Sequence, residues 1–135
     1  MVHALEQKVF KEDAWKMEDF EIALSNDNYI FYVDLVDKIE ADDEDEIRGY
    51  LILIHTTYEA EILNICIDED YRQRGAGYKL ISYGIENLGD ACDTVFLEVR
   101  EGNLPAQKLY KKMNFEETRI ITNYYRNPVE NAISM

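Results

Sequence analysis

The chain has 135 residues, 47% of them hydrophobic, which suits one domain with a substantial core rather than two domains or a disordered chain. Its two cysteines form no C-x-x-C pair and its histidines number only two, so we expect no disulfide framework, no hydrolase triad and no metal site. The net charge of −14 argues against direct binding of nucleic acid, which requires clustered lysine and arginine.

The charge is unevenly distributed along the chain. Residues 1–71 carry five basic and twenty acidic groups, whereas residues 72–119 carry eight basic and seven acidic ones. This asymmetry predicts an anionic ligand beside the second half and a cationic partner for the first, although a surface tuned for solubility explains it equally well. We interpret the acidic run 40–46 as a mobile hairpin loop.

The sequence shows no membrane or export signal. No apolar run approaches the roughly 18 residues that indicate a membrane span, and the first residues lack the basic and apolar regions of a signal peptide. We therefore expect a cytoplasmic protein that does not bind a membrane.

The first half of the chain reads as helix followed by strands. Apolar residues indicate the end of a short helix over 5–10 and recur at helical spacing over 17–24. Alternating, β-branched and aromatic residues then predict strands over 29–36, 49–55 and 60–67. Three strands in succession favour an antiparallel meander.

In the second half, helices and strands alternate. The predicted elements are a polar turn over 68–77, a helix from Ala76 to Leu88, a strand over 94–99, a helix from Asn103 to Met113, and a closing hairpin formed by 115–125 and 131–135. These elements predict an α/β (α+β) fold on one mixed sheet, in a single domain over residues 1–135.

The segment from Arg72 to Gly77 is the most informative one. Two glycines between a strand and a helix let the backbone approach a ligand closely, and the first amides of a helix attract anions. The segment is no Walker A loop, and Leu80 stands where a dinucleotide fingerprint requires glycine or alanine. Judged by itself, with its flanking arginines, it is as compatible with a simple turn as with a phosphate site.

The spacing Arg-x-x-Gly-x-Gly after a strand resembles the coenzyme A loop of the GNAT family of acetyltransferases. Further motifs occur in the family's order: Leu-Asn-Ile-Cys-Ile at 63–67, Leu-Glu-Val-Arg-Glu-Gly-Asn at 97–103, Met-Asn-Phe at 113–115 and Asn-Tyr-Tyr at 123–125. The likeness runs from about residue 49 to the end. It implies the GNAT fold, a mixed, mostly antiparallel sheet flanked by helices, here lacking the family's usual first strand.

The resemblance also implies a reaction. Acetyl-coenzyme A (acetyl-CoA) would be the co-substrate, without a metal, and the likeness is greatest to members that acetylate protein N-termini. The acceptor would be the α-amino group of a protein, namely the N-terminal alanine of a basic, small-subunit ribosomal protein, which attacks the thioester directly in a ternary complex.

The family's functional residues map onto matching positions of this chain. Glu98 would be the general base and Tyr110 the general acid. The strand Ile65, Cys66 and Ile67 would hold the pantetheine arm, and Asn103 would make a further contact with the coenzyme. The pyrophosphate would lie on the loop residues Gln73, Arg74, Gly75, Ala76, Gly77 and Tyr78.

Each assignment has an alternative. Glu98 could pair with Arg100 or another cation at a strand end, Tyr110 could be ordinary core, and Asn103 could serve only as an N-cap. Cys66 is interpreted as a small buried hydrophobe rather than a nucleophile. Two other functions also remain open: acetylation of a small-molecule amine or a lysine side chain, and a non-catalytic acetyl-CoA-binding module that regulates a partner.

Overall fold

A six-stranded sheet forms the centre of the computed structural model, which describes residues 17–36 and 46–135. The described chain forms helices α1 (Met17–Leu24), α2 (Ala76–Glu86) and α3 (Leu104–Lys112), a 3₁₀ turn (Glu69–Tyr71), and strands β1 (Tyr29–Leu35), β2 (Ile47–His55), β3 (Glu59–Ile67), β4 (Thr94–Arg100), β5 (Arg119–Arg126) and β6 (Val129–Ser134). None of these helices is long and apolar enough to cross a membrane.

The predicted elements within these ranges are confirmed, with shifts at their ends. Helix α2 ends at Glu86 rather than at residue 88, because the Asn87 side-chain amide donates to the Tyr83 carbonyl (2.7 Å) and closes the last turn. Strand β5 begins at Arg119 rather than at 115, since the Phe115 ring packs against Tyr110 instead of entering the sheet (centroids 6.0 Å apart).

Three expectations lie outside the described residues. They are the short helix over 5–10, the acidic hairpin loop 40–46 except for Glu46, and the absence of the family's usual first strand.

The sheet is mixed and mostly antiparallel, as predicted. The strand order is β1-β2-β3-β4-β6-β5, and among the described strands only β3 and β4 run parallel. Their connection contains α2, which covers the sheet as a parallel crossover requires. Strands β1 and β2 thus lie on the β3 side of this parallel pair, and the hairpin β5-β6 lies on its β4 side.

Hydrophobic clusters cover both faces of the sheet. Helices α2 and α3 pack on one face, the α2/α3 face, against Leu51 and Leu53, whereas α1 packs on the other, the α1 face, where Phe20 contacts Tyr50 (ring centroids 6.2 Å apart). Strand β2 is buried on both sides, which explains its nearly continuous apolar sequence.

A bulge in β3 precedes the point at which β3 and β4 separate. Ile52 of β2 faces Asn64 and its neighbour Leu53 faces Ile62, so Leu63 is an extra residue on β3. The parallel register with β4 ends at the pair Ile62 and Leu97, although both strands continue. Beyond that pair β4 bonds to β6 instead.

Gly49 of β2 has no room for a side chain beside β3. A methyl group there would collide with the Cys66 carbonyl oxygen and come within 2.6 Å of Ile67 Cδ1. We expect Gly49→Ala to lower the free energy of unfolding by about 1–3 kcal/mol, because backbone as well as side chain must move. Urea denaturation measures this. Gly89→Ala is the control, since its added carbon meets no atom within 4 Å; equal stability of the two variants would contradict the packing described.

Candidate active site

The separation of β3 from β4 creates an opening in the sheet. Leu97 exchanges backbone hydrogen bonds with Met135 (2.9 and 3.0 Å), and Glu98 then faces Ser134. The stretch of β3 after Ile62 therefore borders an opening, and the predicted pantetheine segment Ile65–Ile67 lies there. Such an opening can admit a narrow chain between two strands.

The side chains of this segment are anchored on both faces. Ile65 and Ile67 pack against the α2/α3 cluster, whereas Cys66 is 2% exposed within the α1-face cluster, as expected for a small buried hydrophobe. The Ile67 carbonyl oxygen accepts a hydrogen bond from Arg72 Nε (3.1 Å). Arg72 thereby ties the glycine loop to the end of β3.

The predicted phosphate loop presents free backbone amides. Gln73 and Gly75 have left-handed φ angles of 61° and 79°, and Gly75 begins α2 without a side-chain cap. Within residues 17–36 and 46–135, no backbone N–H from Gln73 to Tyr78 donates a hydrogen bond. A left-handed turn followed by an uncapped helix leaves these donors available to an anion.

The surroundings of the loop are basic. A cavity of about 290 Å³ beside α2 is lined by Gly75, Tyr78, Lys79 and Lys112, and the first turn of α2 contains no acidic residue. The positive end of the helix dipole adds to the lysine charges. This part of the chain therefore favours a phosphate-bearing ligand.

The two glycines of the loop serve different purposes. Gly75 permits the left-handed backbone and has nothing within 4 Å of an added Cβ. Gly77 lies inside α2, where an added Cβ would come within 3.1 Å of Leu109 Cδ2. Its small size lets α2 approach α3, a packing reason that the sequence interpretation did not include.

Glu98 lies on the α1 face of the sheet beside a second carboxylate. Its neighbours Leu97 and Val99 belong to the α2/α3 cluster, so alternation directs Glu98 to the other face. Glu61 of β3, whose neighbour Ile62 also belongs to that cluster, shares this face, and the parallel register places it beside Glu98. Burial, followed by the hydrogen bond and charge of Glu98, raises the pKa of Glu61 to about 7.

The end of β5 adds aromatic groups to this cluster. Two extra residues interrupt the pairing of β5 with β6 between Ile121 and Tyr125. Burial and the charges of both glutamates raise the pKa of Tyr124, which is 50% exposed. Burial also raises the pKa of Tyr125, with smaller contributions from Tyr124, Glu98 and Tyr110.

Arg100 forms its ion pair with Glu130 rather than with Glu98. Its Nη1 lies 3.2 Å from Glu130 Oε1, and its guanidinium covers the Tyr125 ring (4.2 Å to the centroid). The alternative interpretation, in which Arg100 is the ion-pair partner of Glu98, is therefore wrong. Glu98 has a carboxylate, not a cation, as its described neighbour.

Tyr110 approaches from the α2/α3 face. It is 6% exposed in the core, and burial raises its pKa to about 12, so the phenol keeps its proton at neutral pH. Within the described residues its hydroxyl forms no hydrogen bond. Tyr110 is thus part of the core, as its spacing indicated, and also carries an available proton near Tyr125.

Asn103 is an N-cap in the structure. Its Oδ1 accepts from the Ala106 N–H (3.3 Å), which fixes the start of α3 just after β4. The buried Gln107 reinforces this junction by donating from Nε2 to the Arg100 and Glu101 carbonyls (3.1 and 2.7 Å). A coenzyme contact of Asn103 remains a prediction.

The matched family agrees with this geometry. A model of the acetyltransferase (GNAT) family matches residues 2–115. The chain belongs to the GNAT family. Membership confirms the resemblance and the predicted fold.

Two similar bacterial proteins share one name. The protein named ribosomal protein bS18-alanine N-acetyltransferase from Salmonella typhimurium is 36% identical over 89 residues, which cover 65% of this chain and 59% of that protein. Its namesake from Haemophilus ducreyi is 34% identical over 97 residues, covering 69% and 67%. The match therefore spans less than two thirds of the Salmonella relative.

A solved structure matches nearly the whole chain. The ribosomal-protein-S18-alanine N-acetyltransferase from Escherichia coli superposes with a TM-score of 0.82 at 28% identity, covering 98% of this chain and 82% of that one. The Arabidopsis thaliana protein NAA60, in complex with a bisubstrate analogue, also has a TM-score of 0.82, at 22% identity. The second likeness concerns the fold alone.

Sequence reasoning missed Glu61. The signal was present: Glu61 stands between the apolar residues Ala60 and Ile62, just as Glu98 stands between Leu97 and Val99. A carboxylate inside a central strand requires a reason in both places. Only the parallel register shows that the two share a face.

The raised pKa of Glu61 predicts how the stability of the fold depends on pH. A carboxyl group whose folded pKa lies above its ordinary value stabilises the fold below that ordinary value, here 4.5, and loses the contribution as pH rises through about 7. Glu61→Gln should therefore be more stable, relative to the wild type, at pH 8 than at pH 5.5. Urea denaturation at both values tests this.

The matched control is Glu59→Gln, an exposed carboxylate two residues earlier on the same strand. It removes the same charge, and its stability relative to the wild type should change less between the two pH values. A Glu61→Gln difference no more pH-dependent than that of the control would contradict the raised pKa.

Proposed function

We propose that the protein transfers the acetyl group of acetyl-CoA to the N-terminal α-amino group of a protein, with an N-terminal alanine of a ribosomal protein as the acceptor. One observation carries the proposal: the opening between β3 and β4 has free loop amides beside one end, a carboxylate on one sheet face and a phenol on the other. The names of the similar bacterial proteins support the choice of acceptor.

The donor fits the residues on the α2 side. Up to six N–H groups from Gln73 to Tyr78, flanked by Lys79 and Lys112, suit a pyrophosphate. A narrow pantetheine arm would then follow Ile65–Ile67 along the edge of β3 into the opening. Asn103, at the start of α3, would make the further contact that the family resemblance implies.

The acceptor reacts at the other end. Its ammonium group must lose a proton, and the carboxylate of Glu98 accepts it. The nitrogen lone pair then attacks the thioester carbonyl, the C–N bond forms, the C–S bond breaks, and sulfur leaves with the bonding electrons. Tyr110 gives its proton to the sulfur and recovers one from the new amide nitrogen, and Glu98 releases to solvent the proton that it took from the ammonium group.

A pKa of about 12 suits Tyr110 to a dry site. A free thiol has an ordinary pKa of about 8.5, so the phenol is the weaker acid in water. Burial disfavours the thiolate as it disfavours the phenolate, and both therefore hold protons more tightly inside the opening. The phenol remains fully protonated until charge develops on sulfur.

The acidic side of the molecule suits a cationic acceptor. Helix α1 begins with Glu18 and Asp19 and lies on the same face as Glu98, in the half of the chain where acidic groups predominate. A field of one sign concentrates ligands of the opposite sign and speeds their encounter. A basic ribosomal protein would approach with its N-terminus toward this face.

The test is an acceptor panel. The protein is incubated with acetyl-CoA and a peptide that begins with alanine, and mass spectrometry locates any added acetyl group. The controls are the same peptide with a blocked N-terminus and an internal lysine, and a polyamine. Modification confined to the free α-amino group is expected. Modification of lysine or polyamine would favour the alternative acceptors, and binding without turnover would favour a regulatory module.

The donor site makes a separate prediction. Gly75→Val should strain the left-handed turn and obstruct the loop amides, and loss of one charge-assisted hydrogen bond, about 1.5–3 kcal/mol, would weaken coenzyme A binding roughly tenfold to hundredfold. Titration calorimetry measures the affinity. Gly89→Val, at a glycine with equal space and no left-handed φ, should bind like the wild type. Unchanged affinity in Gly75→Val would place the coenzyme elsewhere.

A further inference from the structure

We infer that the protein has a second ligand site, which takes a small aromatic anion and is coupled to the coenzyme loop through Lys79. The site is an open cavity of about 600 Å³, bordered by α2, the end of β1, the start of β2 and the 3₁₀ turn. The side chains that define its chemistry are three cations and three tyrosines. The proposed reaction does not use this cavity.

Helix α2 separates the cavity from the one beside the coenzyme loop. At about 100° per residue, Ala76, Leu80 and Tyr83 share one stripe of α2, and this stripe lines the second site. Tyr78, which lines the cavity of about 290 Å³, lies on roughly the opposite side of the helix. Lys79 lies between the two sides and lines both cavities.

Positive charge predominates in the second site. Arg48, Arg74 and Lys79 line it, and among its described lining residues Asp34 is the one carboxylate. Asp34 lies 3.3 Å from Arg48 Nη2 and offsets one of the three charges. The remaining charge favours an anionic ligand.

Arg48 has hydrogen-bonding capacity to spare. Its Nη2 donates to the Leu35 carbonyl and contacts Asp34, whereas its Nε is buried and, within residues 17–36 and 46–135, has no acceptor. A buried donor without an acceptor is costly. Because the guanidinium fork matches the geometry of a phosphate or carboxylate, an anion in the cavity would supply acceptors that the protein does not.

Tyrosine rings give the site flat walls. The rings of Tyr32 and Tyr83 meet at 89° with centroids 5.1 Å apart, and the Arg74 guanidinium lies over the Tyr71 ring, 5.9 Å from its centroid. Glu46, 3.5 Å from the Tyr71 hydroxyl, is outside the lining. Aromatic rings pack favourably edge-on or offset against one another. A flat ring that carries a phosphate or carboxylate therefore fits better than a bare inorganic anion.

Lys79 couples the two cavities. An anion in either one draws on the same positive charge, and two anions on the two sides of one helix repel each other. Each ligand therefore weakens the other, by the same factor in both directions. This coupling rests on the coenzyme position in the proposed function, whereas binding of the aromatic anion does not.

The first experiment titrates methyl-labelled protein with phenyl phosphate and follows it by NMR. The signals of Val33 and Leu80, which line the site, should shift, and they should still shift in protein saturated with coenzyme A. Inorganic phosphate, which has the charge without the ring, should bind roughly threefold to tenfold more weakly. Equal affinities, or loss of the shifts when coenzyme A is bound, would overturn the separate site.

Variants test the side chains. Arg48→Gln should weaken phenyl phosphate binding roughly tenfold or more, because charge-assisted hydrogen bonds are lost. Tyr83→Leu, at a side chain that is 55% exposed and whose loss the fold should tolerate, should weaken phenyl phosphate roughly threefold and leave inorganic phosphate unchanged. The matched controls Arg126→Gln and Tyr58→Leu, both at exposed positions outside the lining, should bind like the wild type. Unchanged affinity in Tyr83→Leu, or an equal loss in a control, would overturn the inference.

The last experiment measures the coupling. Calorimetry gives the apparent Kd of coenzyme A at increasing phenyl phosphate, and this Kd should rise and then reach a plateau, because both ligands can be bound at once. In Arg48→Gln the plateau should require roughly tenfold more phenyl phosphate. A rise without limit would indicate competition for one site, and no rise would indicate no coupling; either result overturns the inference. Failure of the proposed function is distinguishable, since none of these measurements uses an acceptor.

Discussion

The end of the parallel ladder at Ile62 and Leu97 is the constraint on which the candidate site depends. Strand pairing is the main way in which a sheet satisfies its backbone groups, and β4 can leave β3 only because β6 offers it a new partner. The bulge at Leu63 bends β3 at the same level. An opening lined by two stable strands is the result, with no loop needed to form it.

This opening joins the two faces of the sheet. On most of the sheet the faces are sealed from each other by cross-strand hydrogen bonds and by the apolar clusters that cover them. At the opening, Glu98 lies on the α1 face and Tyr110 on the α2/α3 face, so the proposed base and the proposed acid approach from opposite faces without neutralising each other. Burial holds the Tyr110 proton, and burial, followed by the nearby Glu98, raises the pKa of Glu61.

The fold was largely predictable because its signals are local. Alternation in β2 and β3, helical spacing in α2 and α3, and the N-cap Asn103 each depend on a few neighbouring residues. The shifted ends have tertiary causes, as when Phe115 packs on Tyr110 instead of starting β5. Likewise, the phosphate loop was recognisable from its glycines, but the packing role of Gly77 depends on Leu109 from another helix.

The sequence by itself determined the elements, the charge asymmetry, the glycine loop and the motifs that resemble the GNAT family, since all of these are properties of order and composition. Only the tertiary structure decided which side chains meet. That Arg100 pairs with Glu130, and that Glu98 meets Glu61 from a strand more than thirty residues earlier, follows from sheet register. Register is set by long-range pairing and by a one-residue bulge, which reverses the faces of every residue beyond it.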